Sequence, residues 1–212
     1  MPAIVGDLDT EVTLFLSPHL PELATIDEAS VVRILSVRLG GEEAARGVLS
    51  TYRGARPEAT PYELLARIMS AAAFGVETQR AARTLGHSGG GRAWTDRITW
   101  RTPVDGGDLM SPHELDVALT FGNVDVVVGV NGGGSGAREL ARTIKSLWVS
   151  FARTGDLSAE SGIAWPECDA GGQPVLVLDP APRVRDDLDV AELDTLAKFL
   201  QPGVGLLSLA GE

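Results

Sequence analysis

The sequence predicts an α/β fold, on three observations. Short apolar runs at Pro2–Gly6, Arg92–Trp100 and Pro174–Leu178 have the length and composition of strands. Between them lie segments whose apolar residues recur at helical spacing, and the order helix, strand, loop, helix is that of an α/β domain. No internal repeat or long linker marks a domain boundary within the 212 residues.

Taken in order, Pro2–Gly6 carries Ile4 and Val5, ends at a glycine, and opens into an acidic stretch holding Asp7, Asp9 and Glu11. That suits a buried strand whose end becomes a loop. After the breaks at Pro18 and Pro21, Asp27–Leu39 sets Val31, Ile34, Leu35 and Arg38 at helical spacing and stops at Gly40-Gly41. A second helix is expected from Glu42 to Tyr52. Thr60-Pro61-Tyr62-Glu63 is a helix start, with a capping threonine and proline at the first helical position. Leu64, Leu65, Ile68, Met69 and Ala72 then carry the helical pattern toward Leu85.

The loop Gly86–Gly91 hands over to Arg92–Trp100, where Trp94, Ile98 and Trp100 fall on one strand face; the tryptophans are expected to pack, not react. Loops at Pro103–Gly107 and around His113 follow, then the Gly-rich Asn131–Gly136. Ala137–Phe151 is an amphipathic helix with Leu140, Ile144, Leu147, Trp148 and Phe151 on its stripe, ending at Gly155. Trp165-Pro166 begins an irregular stretch, and Val190–Leu200 is a terminal helix. Its acidic approach, Asp186-Asp187-Leu188-Asp189, is expected to be a solvated helix start favoured by the dipole.

The bulk numbers narrow the function. With 44% hydrophobic residues the chain can bury a sizeable core. A net charge of −11 opposes binding to nucleic-acid backbones or anionic membranes. No apolar run reaches bilayer length and the N-terminus has no basic region, so the expected location is cytoplasmic. The lone Cys168 excludes an internal disulfide and a cysteine-built zinc site. His19, His87 and His113 show no ligand spacing, so neither a metal nor a cofactor is expected.

The chemistry centres on Ser111–Asp125. Ser111-Pro112 favours a turn, which places His113 on a connection that can present an imidazole to a cleft. An imidazole can exchange a proton near neutral pH, but it needs a carboxylate to orient it. Asp7, Asp9 and Glu11 are all candidates by position alone.

The run His113, Asp116, Leu119, Phe121, Gly122, Asn123 resembles the histidine loop of the type-B carboxylesterases, the large α/β-hydrolase esterases. Glu114 stands where that family often has glycine. The resemblance continues through Tyr62-Glu63-Leu64-Leu65, Arg101-Thr102-Pro103, the segment from Trp148 through Phe151-Ala152-Arg153-Thr154-Gly155-Asp156, and Trp165-Pro166. It runs from Pro2 to about Asp187 and implies the C-terminal part of an α/β-hydrolase fold, with an incomplete sheet and flanking helices. It further implies that residues 1–212 are the C-terminal portion of one such domain, with the nucleophile-bearing half absent.

Gly6 to Glu11, followed by Leu14-Phe15, matches the spacing of the family's acid loop, with Val12 in place of a glycine. The resemblance therefore implies Glu11 as the triad acid and His113 as the base, in the chain order of the hydrolase fold. The serine would belong to the absent half, a small carboxylic ester would be the partner once that half is supplied, and the chain alone is expected to be inactive and to self-associate through exposed strand edges.

Two motifs mimic other functions. Gly86-His87-Ser88-Gly89-Gly90 matches Gly-x-Ser-x-Gly, but a helix enters and a strand leaves, and Ser88 follows Glu11 in the chain. Gly132-Gly133-Gly134-Ser135-Gly136-Ala137 satisfies a dinucleotide-binding pattern after the apolar run Val124–Val130, but no second strand fits before Asp156. A non-catalytic remnant that binds a partner is the remaining alternative.

Overall fold

A computed structural model describes residues 2–87, 92–155, 157, 162–169, 172–186 and 188–201. Ser88, Asp156 and Asp187 lie outside the described residues. Three parallel strands, β1 (Ala3–Leu8), β2 (Ala93–Ile98) and β3 (Val175–Leu178), are joined by an antiparallel β4 (Arg183–Arg185), in the order β1-β2-β3-β4. The helices are α1 (Thr13–Leu16), α2 (Leu20–Leu23), α3 (Glu28–Leu39), α4 (Glu42–Ala55), α5 (Pro61–Ser70), α6 (Val76–His87), α7 (Leu115–Phe121), α8 (Val128–Asn131), α9 (Gly134–Thr154) and α10 (Val190–Ala197).

Local chemistry accounts for the main helices. Asp27 caps α3 by accepting from the Ser30 amide at 2.8 Å, and the helix ends where Gly40 adopts φ +80°. Thr60 and Glu63 form a reciprocal capping box on α5, whose last turn runs through a π-helical turn, Ala71–Gly75, into α6. The long amphipathic α9 buries Leu140, Ile144 and Leu147.

Register decides what each sheet face carries. Gly6 lies opposite Asp96, Asp7 opposite Arg97 and Leu8 opposite Ile98. Side chains alternate along strands, so Leu8, Trp94 and Ile98 share a face with Asp96, and that face packs on α7 and α9. Asp7 and Arg97 take the other face, toward α4, α5, α6 and α10, which form a second core with α3. Between that core and the sheet, Arg97 grips both oxygens of Asp7 at 2.7 and 2.8 Å and Asp189 at 2.6 Å. Arg56 binds Glu192 at 2.6 Å and also Asp189, and Arg67 binds Asp9.

Several sequence expectations change. Asp189 is not a solvated helix start: its side chain is largely buried between Arg56 and Arg97. The apolar run Val124–Val130 forms turns and the start of α8, so the strand that a dinucleotide motif needs is not there, in line with the rejection of that motif. An open edge is expected at Pro2–Val5 and at Arg92–Trp100, but β2 pairs on both sides, so of these two only β1 has a free edge. β4, α1 and α2 were not foreseen; Pro18 and Pro21, read as breaks, lie at the start of a 3₁₀ turn, Ser17–His19, and of α2, where a missing amide costs little. No helix among the described residues is long and apolar enough to cross a membrane.

Candidate active site

The two candidate loops leave the C-terminal ends of adjacent parallel strands, the rim where α/β folds place their sites. After β1 the chain turns back on itself, and Glu11 Oε1 accepts from the Leu8 amide at 3.0 Å. The Val12 amide donates to Ser70 Oγ on α5 at 3.1 Å, which anchors this turn to the helical layer.

The histidine loop is stitched to the acid loop through backbone groups. Thr13 Oγ1 donates to Leu109 O at 2.7 Å, the Ser111 amide to Thr10 Oγ1 at 2.8 Å, and the His113 amide to Glu11 O at 3.0 Å. With both loops so fixed, His113 Nδ1 lies 2.6 Å from Glu11 Oε2. The imidazole stacks against Phe74, centroids 5.3 Å apart, and is flanked by Phe15 at 5.5 Å. The Glu11 side chain is 5% exposed and that of His113 39%, so the acid is buried behind a ring that still reaches open space.

This arrangement separates three acids that position in the chain left equivalent and among which only the resemblance pointed to Glu11. Asp7 is committed to Arg97 and Asp9 to Arg67, and Glu11 is the one that meets the imidazole. Burial pushes the Glu11 carboxyl above its ordinary value, while hydrogen bonds from His113 and the Leu8 amide pull it back. Glu114 has φ +69°, a left-handed conformation that glycine adopts freely, which explains why glycine suits this position in the pattern the loop resembles.

Glu11, His113 and Phe74 border a cavity of about 340 Å³ whose wall continues through Leu8, Asp96, Asp116 and Trp148. Asp96 and Phe74 were not singled out in the sequence. A lone aspartate between Trp94 and Ile98 on an otherwise apolar strand face was the available signal for the first; Phe74 carried none, because its role depends on α5 and α6 passing beside the histidine loop.

The nearby serine hydroxyls are engaged elsewhere: Ser111 Oγ donates to Trp100 O at 2.5 Å and Ser70 Oγ to Ala66 O at 2.7 Å. Among the described residues, Thr120 carries the only hydroxyl group lining the cavity, and no group of His, Cys, Asp and Glu could hold a metal ion.

No protein-family model matches the sequence, and no curated protein matches it. Solved structures do. An esterase from anaerobic Clostridium hathewayi that can hydrolyze aliphatic aromatic polyesters superposes with a TM-score of 0.69 at 24% identity, covering 94% of this chain and 38% of that one. A carboxylesterase from Geobacillus stearothermophilus gives 0.66 at 25% identity, covering 91% and 40%, and a thermophilic PNB esterase gives 0.66 at 20%, covering 91% and 38%. The chain thus spans well under half the length of these esterases. Its helices and four-stranded mixed sheet have the fold of part of an esterase of the α/β-hydrolase kind.

Proposed function

We propose that this chain is the C-terminal portion of a type-B carboxylesterase domain and contributes the acid and base of a Ser-Glu-His triad, Glu11 and His113, to carboxylic-ester hydrolysis. The observation that carries this reading is the 2.6 Å contact between His113 Nδ1 and Glu11 Oε2. Nδ1–H donates to the carboxylate, which holds the ring in one tautomer and stabilises the imidazolium; Nε2 is then the nitrogen free to take a proton from a serine hydroxyl and return it to the leaving alcohol.

The serine comes from polypeptide outside this chain, consistent with the 38–40% of the solved esterases that the chain spans. The partner is a small carboxylic ester, and neither nucleic acid nor membrane is involved. Without its serine the chain is inactive, because an oriented base with no nucleophile leaves only weak residual catalysis.

The test is to read the coding region upstream for a Gly-x-Ser-x-Gly elbow, express the polypeptide encoded there together with this chain, and follow hydrolysis of 4-nitrophenyl butyrate. Turnover should appear and fall by at least about 10³-fold in His113→Ala. An upstream region without the elbow, or turnover indifferent to His113, contradicts the proposal. A non-catalytic, partner-binding module is the second reading, favoured by the Ser70 and Ser111 hydroxyls, which donate to backbone carbonyls. It requires the upstream elbow to be missing.

A further inference from the structure

The cavity beside His113 has a second chemical feature that the acid–base pair does not use. Asp96 lies on the β2 face turned toward α9, opposite Gly6; a Cβ at Gly6 would stand 2.4 Å from Asp96 Oδ1, so the carboxyl occupies the space that glycine leaves open. Asp96 is only 6% exposed, and its Oδ1 has no hydrogen-bond partner. A buried carboxyl oxygen without a donor is costly, and because Asp96 is one of the residues lining the cavity, a group able to satisfy its carboxyl would enter from there.

We propose that this cavity binds an organic ammonium group on a short apolar stem, with Asp96 as its buried counter-ion and Asp116 as a second carboxyl beside it. The charge of the wall selects the class. Asp7, Glu11, Asp96 and Asp116 line the cavity, with no lysine or arginine among its described lining residues. Arg97 holds Asp7 and His113 holds Glu11; Asp96 and Asp116 have no ion pair among the described residues.

An anionic ligand would meet the carboxyls of Glu11, Asp96 and Asp116, and a neutral one could donate to Asp96 without supplying the opposite charge. Ile98, Ile144 and the Trp148 indole supply apolar wall for the stem, and an indole face also attracts a cation. A volume of about 340 Å³ suits a small molecule and far exceeds one water.

Burial, reinforced by Asp7 and Asp116 and opposed by Arg97, raises the Asp96 carboxyl to about 8. Glu11 and His113 also face the cavity, while Ile144 and Trp148 of α9 bring no charge to it. Near neutral pH Asp96 therefore holds a proton, and an arriving ammonium displaces it: R–NH₃⁺ and Asp96–COOH become the pair R–NH₃⁺···⁻OOC–Asp96, and H⁺ leaves to buffer. That such a ligand is the substrate's own amine rests on the ester-hydrolase reading; the binding itself does not.

The experiment is isothermal titration of the whole chain with n-butylammonium, n-butanol and butyrate, in two buffers of different ionisation heat at pH 7. Butylammonium should bind saturably with release of about one proton per site, and butanol and butyrate at least about tenfold more weakly. Asp96→Asn should weaken butylammonium by about tenfold or more, and the half-buried Asp116→Asn, which leaves the core intact, by several-fold. Equal binding of butanol, no proton release, or affinity unchanged in both variants overturns the proposal. Failure to bind the amine while the completed enzyme hydrolyses neutral esters sinks this inference alone, and amine binding without any turnover sinks only the esterase reading.

Discussion

His113 Nδ1 lies 2.6 Å from Oε2 of Glu11 although the two residues leave different strands, because the His113 amide also donates to the Glu11 carbonyl and locks one loop on the other. The Glu11 carboxyl is raised by burial and lowered by His113, so His113→Phe, which keeps a ring over the acid but removes its hydrogen bond, should raise it further. A carboxyl whose folded value exceeds its unfolded one binds its proton more tightly when folded. Stability contributed through Glu11 is therefore greatest below the ordinary 4.5 and declines as pH rises through the raised value, over a wider interval in the variant. A ¹³C titration of the Glu11 carboxyl checks the direction; a downward move in His113→Phe contradicts it.

Asp96 carries the same linkage on a larger scale. With its carboxyl raised from 3.8 to about 8, the folded state loses stability steadily as pH climbs across that interval. Asp96→Asn should flatten the decline, and the variant should exceed the wild type in melting temperature at pH 8 by more than at pH 5. A wild-type profile as flat as the variant's would show that Asp96 is not buried as described.

Gly6 and Asp96 should behave as one unit. Gly6→Ala places a methyl group against the carboxyl and should cost about 1–3 kcal/mol. In an Asp96→Ala background most of that cost should vanish, so a double-mutant cycle by urea unfolding measures the contact. Strict additivity would place the Asp96 side chain elsewhere.

Arg97 neutralises Asp7 and shares Asp189 with Arg56 in a nearly closed space, so Arg97→Met strands the buried Asp7, leaves Asp189 to Arg56 alone and should cost about 3–5 kcal/mol. Adding Asp7→Asn should recover much of the loss, because the stranded charge is then gone. Guanidinium unfolding of the single and double variants distinguishes this network from surface ion pairs such as Arg46–Glu42, whose removal should change stability by less than about 1 kcal/mol.

The free side of β1 should make the isolated chain associate with itself. The Ala3 and Asp9 amides bond to β2, so the alternate amides of Ile4 and Gly6 face outward, where another strand can pair. Sedimentation velocity over a range of concentrations should show reversible association that Ile4→Pro weakens. A monomer at every concentration would mean that the edge is protected.

Much of the scaffold was legible in sequence because it is locally encoded. Thr60 and Glu63 mark the start of α5, Gly40 the end of α3, and the α9 stripe its buried face. The histidine loop was legible through Ser111-Pro112 and the residues after His113. What escaped depends on contacts distant in the chain. Apart from the resemblance of the Gly6–Glu11 spacing, nothing local distinguishes Glu11 from Asp7 or Asp9; Arg97 and Arg67 do so by engaging the other two. Asp189 looked solvated because its cations, Arg56 and Arg97, come from α4 and β2. The orphaned oxygen of Asp96 became visible only with the register that sets it against Gly6.

Long-range ¹H–¹⁵N spectroscopy of the His113 ring tests the acid–base pair most directly. In the neutral imidazole the proton should reside on Nδ1, held by Glu11, and Glu11→Gln should shift the tautomer balance toward Nε2–H. A ring whose proton already sits on Nε2, or whose tautomer is indifferent to Glu11→Gln, would contradict the pairing on which the proposed chemistry depends.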